Sequence, residues 1–178
     1  DEYSCVKSLK KEVFTIRPLP EPVFSADPTM GCRPLTVAFT NSSYTAAPGI
    51  ITQYDWNFFD GSPHDNTATP THLYTANGPW HVSLSLTDDF GCTNTLTKIN
   101  YINPSFPFTN FAFNSSVCNN APTQFINTTS PGGLNYLWDF GDGTTSTVEH
   151  PLHTFLVDST TTFTVTLKAT DANSCDSS

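Results

Sequence analysis

The chain has 178 residues, 16 acidic and only seven basic side chains, and a formal net charge of −9. So sparse a basic complement offers no surface to phosphate backbones or anionic lipids, which excludes nucleic acid as a partner. Only 13% of residues are charged, while Thr, Ser, Asn, Pro and Phe are abundant; this is the composition of many short strands joined by turns, so an all-β protein of two small domains is expected.

No apolar run approaches the 18 or so residues of a membrane span. The opening Asp1-Glu2-Tyr3-Ser4-Cys5 has neither the basic region nor the apolar core of a signal peptide, so any targeting signal is expected outside these residues. Self-similarity supplies the organisation. Asp1-Glu2-Tyr3-Ser4-Cys5 aligns with Asp88-Asp89-Phe90-Gly91-Cys92 and with Asp171-Ala172-Asn173-Ser174-Cys175, and Leu9, Val13, Phe14, Ile16 and Pro18 follow Cys5 much as Leu96, Ile99, Tyr101, Ile102 and Pro104 follow Cys92. Residues 1–18 therefore read as the last strand of a preceding repeat. Arg17-Pro18-Leu19-Pro20-Glu21-Pro22 and Asn103-Pro104-Ser105-Phe106-Pro107 read as short, semi-rigid connections, which predicts a rod-like array.

The first complete repeat spans 22–104 and the second 106–178. Cys32, Phe39 and Asn41 match Cys118, Phe125 and Asn127 at an offset of 86 residues, which falls to 82 at Trp56 and Trp138. The four extra residues of the first repeat fall in the Tyr44 to Gly49 turn. Tyr54-Asp55-Trp56-Asn57-Phe58-Phe59-Asp60-Gly61 recurs as Tyr136-Leu137-Trp138-Asp139-Phe140-Gly141-Asp142-Gly143, and Pro70-Thr71-His72-Leu73-Tyr74 as Pro151-Leu152-His153-Thr154-Phe155. Trp80, Val82, Leu84 and Leu86 alternate with His81, Ser83 and Ser85, and 83 residues on Phe163, Val165, Leu167 and Ala169 alternate with Thr164, Thr166 and Lys168. Period-2 alternation marks a half-buried strand, here over 162–170 in the second repeat. After Cys175 only Asp176-Ser177-Ser178 remains, so the second repeat lacks a counterpart of 93–102.

Five cysteines leave 15 ways of forming two bridges. Within each repeat one cysteine precedes the second strand and one follows the alternating strand, which gives Cys32 with Cys92 and Cys118 with Cys175 as the expected pairs. Cys5 is then unpaired. Such bridges belong to an oxidising compartment. Free buried thiols are the rival reading, and zinc lacks any close CxxC or Cys-His pair.

Trp138-Asp139-Phe140-Gly141-Asp142-Gly143, followed by His150-Pro151-Leu152-His153-Thr154-Phe155 and the 162–170 strand, resembles the PKD (polycystic kidney disease) domain family, and the first repeat shares these motifs more weakly. The resemblance implies tandem immunoglobulin-like β-sandwiches of about seven strands each. Trp56 and Trp138 are expected between the sheets. Asp60-Gly61 and Gly141-Asp142-Gly143 read as turns, with the Asp bonding its own backbone. Some PKD-like domains bind calcium, which makes Asp139, Asp142 and Asp171 candidate ligands; Asn57 replaces Asp139 and Phe59 replaces Gly141 in the first repeat, which weakens a shared ion site. Phe59 is either tucked under its turn or exposed, and the sequence does not decide between them.

A hydrolase needs a nucleophile, a base and its orienter, and none is visible. His72 and His153 recur in equivalent places, as a structural role predicts, while His64, His81 and His150 read as surface or turn residues. Asp88-Asp89 reads as a solvated turn rather than a glycosidase dyad. Asn41, Asn114 and Asn127 fit the N-glycosylation pattern, although a side-chain bond near a strand end explains Asn41 and Asn127 equally. No cofactor is expected. The Asn/Thr/Phe-rich, Lys-poor style and the Asp-x-x-x-Cys ending resemble large surface proteins of gliding Bacteroidota exported by the type IX system. The implied function is a non-catalytic stalk or adhesin segment at the cell surface; an accessory module of a secreted protease or polysaccharide-degrading enzyme is the rival. Expected partners are neighbouring repeats, with a surface polysaccharide or another protein as candidate contact. The open edge of the second repeat could also accept a strand of the 6–16 type from another chain.

Overall fold

The computed structural model describes residues 15–178 except 47, 115–117 and 132–133. The strand expected within 1–18 lies almost wholly outside the described residues. In the first repeat β1 (Phe24–Asp27), β3 (Leu35–Asn41) and β5 (Thr71–Tyr74) form one sheet in the order β1-β3-β5. The facing sheet is β2-β7-β6-β4, built from β2 (Met30–Cys32), β4 (Ile51–Asn57), β6 (Trp80–Asp88) and β7 (Thr93–Ser105). The second repeat repeats this plan. Its sheets are β12-β9-β8 and β11-β10-β13-β14, from β8 (Phe111–Phe113), β9 (Pro122–Asn127), β10 (Asn135–Asp139), β11 (Thr145–Ser146), β12 (Leu152–Thr154), β13 (Thr166–Thr170) and β14 (Asp176–Ser177). Among the described residues there is no helix, and hence none long and apolar enough to cross a membrane. Two immunoglobulin-like sandwiches in tandem result.

Alternation decides which face meets the core. Along β3, Leu35, Val37 and Phe39 are buried and Thr36, Ala38 and Thr40 are exposed. Opposite them Val82, Leu84 and Leu86 of β6 are fully buried. Trp56 and Trp138 fill the centres of the two sandwiches at 0% exposure. Phe24 meets Trp56 edge-on with centroids 5.0 Å apart at 73°, and Phe111 meets Trp138 at the same distance and angle. Edge-to-face pairs of this kind add about 1 kcal/mol to the burial of each ring.

The second sandwich departs from the sequence expectation in one strand. Pairing begins only at Thr166 rather than over 162–170. The reason lies in what holds the counterpart: Trp80 and Val82 pair with Ile102 and Lys98 of β7, beyond the reach of β4. β14 offers two residues, which pair with Ala169 and Thr170 only. Phe163 and Val165 are left lining an apolar groove of about 410 Å³ with Phe111, Phe113, Phe125 and Phe155. In the first sandwich the counterpart of Phe111, Phe24, is covered by β7, where the Tyr101 hydroxyl accepts from the Ala26 N–H (3.0 Å) and Lys98 Nζ donates to the Phe24 carbonyl (2.7 Å).

The cysteine pairing differs from the expectation. Cys32 is bonded to Cys175, with Cα atoms 5.3 Å apart, and neither Cys92 nor Cys118 is bonded among the described residues. Geometry forbids the Cys32–Cys92 pair. Cys92 immediately precedes β7, whereas Cys32 pairs with Ser105 at its far end. A strand of 13 residues is roughly 40 Å long at about 3.3 Å per residue, against the 4–7 Å between Cα atoms that a bridge allows. Each repeat carries one cysteine at each pole, so the Cys118–Cys175 pair fails for the same reason.

The junction itself is ordered by strand pairing. β2 runs parallel to residues 103–105, Arg33 donates its N–H to the Ser105 carbonyl (3.0 Å), and the Asn173 amide donates to Ser105 Oγ (2.7 Å). The first three residues of the expected extended connection, 103–105, are thus the end of β7.

Candidate functional site

The recurring polar cluster of each sandwich is an aspartate–histidine clip at the turn that follows the tryptophan strand. After Trp56 the chain buries Phe58 and turns; after Trp138 it buries Phe140 and turns. Asn57 Oδ1 accepts the N–H of Phe59 (2.8 Å), and Asp139 Oδ1 accepts that of Gly141 (2.9 Å). Phe59 and Gly141 are both left-handed, at φ +57° and +77°. Asp60 Oδ1 then accepts the N–H and hydroxyl of Ser62, and Asp142 Oδ1 those of Thr144. The remaining carboxylate oxygens face His72 Nε2 and His153 Nε2, each at 2.7 Å. Each imidazole stacks on the buried phenylalanine, with centroids 3.9 Å apart for Phe58 and His72 and 4.0 Å for Phe140 and His153. The clip ties the turn to the opposite sheet, since the histidines ride on β5 and β12.

Electrostatics follow from these bonds. The Thr144 hydroxyl is the main influence holding the Asp142 carboxyl down at about 2; partial burial opposes it, and the His153 bond adds to the lowering. Burial pushes the Asp60 carboxyl up, but the Ser62 and His72 bonds outweigh it, so the net shift is also downward. A lowered carboxylate that is spent on a turn is a poor general acid or base. No serine, threonine or cysteine hydrogen-bonds either imidazole among the described contacts, so the clip has no nucleophile to activate.

The calcium candidates are engaged separately. Asp139 holds the Gly141 N–H, Asp142 the Thr144 and His153 bonds, and Asp171 Oδ1 the N–H groups of Asn173 and Cys175. Among the described residues no group of three His, Cys, Asp or Glu side chains is disposed to hold a metal. Each of the three carboxylates thus holds the backbone of its own turn.

Other residues singled out in the sequence have backbone roles. His81 Nδ1 accepts the Asn100 N–H and His150 Nδ1 that of Asn127, whereas exposed His64 sits 2.7 Å from Asp55. Asn41 and Asn127 each accept the N–H two residues on (2.9 and 2.8 Å), and Asn127 is only 8% exposed, so it is closed to a glycan. Asp88 Oδ1 accepts the N–H groups of Phe90 and Cys92, the same turn as at Asp171. Phe59 is 45% exposed and meets His81 edge-on at 5.8 Å. The pairing of Asp60 with His72 and Asp142 with His153 was not read from sequence; its signal is the near-constant spacing of 12 and 11 residues in the two repeats.

These features define two immunoglobulin-like sandwich modules in tandem, each with the same turn clip. The PKD domain family matches residues 19–103 and 105–178, and the chain belongs to that family. A microbial collagenase of Vibrio alginolyticus is 40% identical over 62 residues, which are 35% of this chain and 8% of the collagenase. Two solved structures are similar at 29% identity. The PKD1 domain of Vibrio anguillarum Epp aligns with 51% of this chain and all of its own length (TM-score 0.43), and the PKD1 domain of the Vibrio cholerae metalloprotease PrtV with 48% and 99% (TM-score 0.42).

Proposed function

We propose that this pair of sandwiches is a spacer segment of a large extracellular surface protein, a stalk or adhesin of the kind the gliding-associated resemblance suggests. The observation that carries this reading is the junction. A disulfide from Cys32 to Cys175 and a parallel ladder over 103–105 join consecutive sandwiches, so that one repeat fixes the direction of the next. A bridge also favours an oxidising, external compartment. The second reading, an accessory module of a secreted protease or polysaccharide-degrading enzyme, draws on the similarity to the collagenase.

Small-angle scattering joined to co-sedimentation tests both. A spacer gives one elongated form, roughly 80 Å long if two sandwiches each of about one 40 Å strand length are in line, and no retention on insoluble collagen or plant and bacterial polysaccharides. Saturable retention on collagen or a polysaccharide replaces the spacer with the accessory module. A distribution of interdomain angles in the oxidised protein removes the argument from the junction.

A further inference from the structure

The Cys32–Cys175 bridge joins unlike positions of two successive repeats. Cys32 lies beside Ser105, at the pole where the first sandwich ends, and Cys175 lies in the turn by which the second sandwich receives the connection. Both positions have counterparts that the bridge leaves over. Cys118 matches Cys32 at 86 residues and is exposed; Cys92 matches Cys175 at 83 residues and is half-buried. The match of Cys92 with Cys175 extends to geometry. The Cys92 N–H donates to Asp88 Oδ1 at 2.8 Å, and the Cys175 N–H to Asp171 Oδ1 at 2.9 Å.

The connection also reaches this turn in both repeats. Asn173 donates to Ser105 Oγ in the second, while in the first the Arg17 guanidinium lies 3.6 Å over the ring of Phe90, the counterpart of Asn173. Residues on the preceding connection therefore pack on the Cys92 turn as they do on the Cys175 turn.

Resting on the tandem-array reading, we propose that Cys92 and Cys118 are junction cysteines of the same kind. Cys118 bonds the cysteine of an Asp-x-x-x-Cys turn in a repeat docked after it, and Cys92 bonds the cysteine ahead of the third strand of a repeat docked before it. Every junction is then closed by one bridge between neighbours, and no repeat contains a bridge of its own. The chemistry is exchange with a small disulfide oxidant such as oxidised glutathione. Two protein S–H bonds are lost and one S–S bond forms, and the oxidant takes up the two electrons and two protons to become two thiols.

The test builds the missing junction. Residues 1–178 carrying Cys5→Ser are followed directly by a copy of 96–178 carrying Cys118→Ser, which keeps the 83-residue register because Ser178 is the counterpart of Thr95 and leaves one Cys118 in the protein. The protein is folded in a glutathione couple and digested with pepsin in acid without reduction. The expected peptides link Cys32 to Cys175 of the first copy and Cys118 of the first copy to Cys175 of the appended copy. Recovery of that Cys118 as a free thiol, or joined to Cys175 of its own repeat, overturns the proposal. The same digest of the protein isolated from the cells that make it guards against misfolding of the extended chain. There Cys92 and Cys118 must each be cross-linked to a cysteine of a different repeat, and free thiols at either position refute the assignment. An elongated, non-binding array with free Cys92 and Cys118 would sink this proposal and leave the spacer standing. Bridged junctions in a protein that binds collagen would do the reverse.

Discussion

Gly141→Ala is the substitution whose effect the structure specifies most fully. Gly141 sits at φ +77°, and a Cβ built there lies 2.5 Å from the Thr164 carbonyl oxygen. Left-handed backbone costs a residue with a Cβ about 1–2 kcal/mol, and forcing the Thr164 backbone aside adds about 1–2 kcal/mol on the scale of overpacked interiors. The expected loss is about 2–4 kcal/mol, a large share of the stability of a small domain. Phe59 occupies the same place in the first repeat at φ +57° and already bears the left-handed cost. Phe59→Ala removes only a half-exposed ring, so its loss should be at most about 1 kcal/mol. Urea unfolding followed by tryptophan fluorescence reads both, with Trp138 as reporter in the second sandwich and Trp56 and Trp80 in the first. A loss below about 1 kcal/mol for Gly141→Ala, or equal losses for the two variants, would refute the claim that the Thr164 carbonyl makes this turn glycine-specific.

Asp142 supports stability that depends on acid. Its folded carboxyl is held at about 2 against the ordinary 3.8, so the contribution is full above about pH 4 and is lost as pH falls toward 2; Asp142→Asn should flatten that limb of a pH-dependent urea series. Tyr74 buries a hydroxyl with no partner, and burial with the nearby Asp60 charge pushes its ionisation up. Tyr74→Phe, which installs the residue type found at the equivalent Phe155, should leave stability unchanged or raise it by up to about 1 kcal/mol in the same assay. Cys32→Ser combined with Cys175→Ser opens a loop of 143 residues. By chain entropy the fully unfolded state gains about 5 kcal/mol, so calorimetry should show the variant's unfolding at lower temperature, and an unchanged transition would count against the bridge.

Much of the fold was legible because the chain states it twice. Two registers, at offsets of 82 and 86 residues, anchored on Trp56 with Trp138 and on Cys32 with Cys118, separate strands from turns without any other comparison. The paired tryptophans, the alternation of Val82, Leu84 and Leu86, and the turn at Gly141 all follow from periodicity and local backbone chemistry. The bridge was illegible for a definite reason. A repeat register identifies equivalent cysteines but not which copy a partner belongs to, and that depends on which pole of the sandwich each occupies. Pole assignment needs the length of β7 and the parallel pairing of β2 with residues 103–105, both long-range facts. The late start of β13 was hidden similarly, since Phe163 and Val165 carry strand alternation whether or not a partner lies alongside. The clip between Asp142 and His153 joins two motifs that were each visible, but their contact arises only when β12 is laid across the turn.

The position of the bridge also governs how tension would run through the molecule. Pulled from its two ends, the chain passes force from residue 32 across one covalent bond to residue 175, and the 143 residues of sequence separation between them lie on a slack branch. At about 3.4 Å per extended residue, that branch withholds roughly 480 Å of length that neither sandwich can release while the sulfurs stay joined. Both tryptophan cores sit inside it. Reduction of a single disulfide would turn an almost inextensible link into a long extensible one, so the redox state of the surroundings sets whether tension can reach either core.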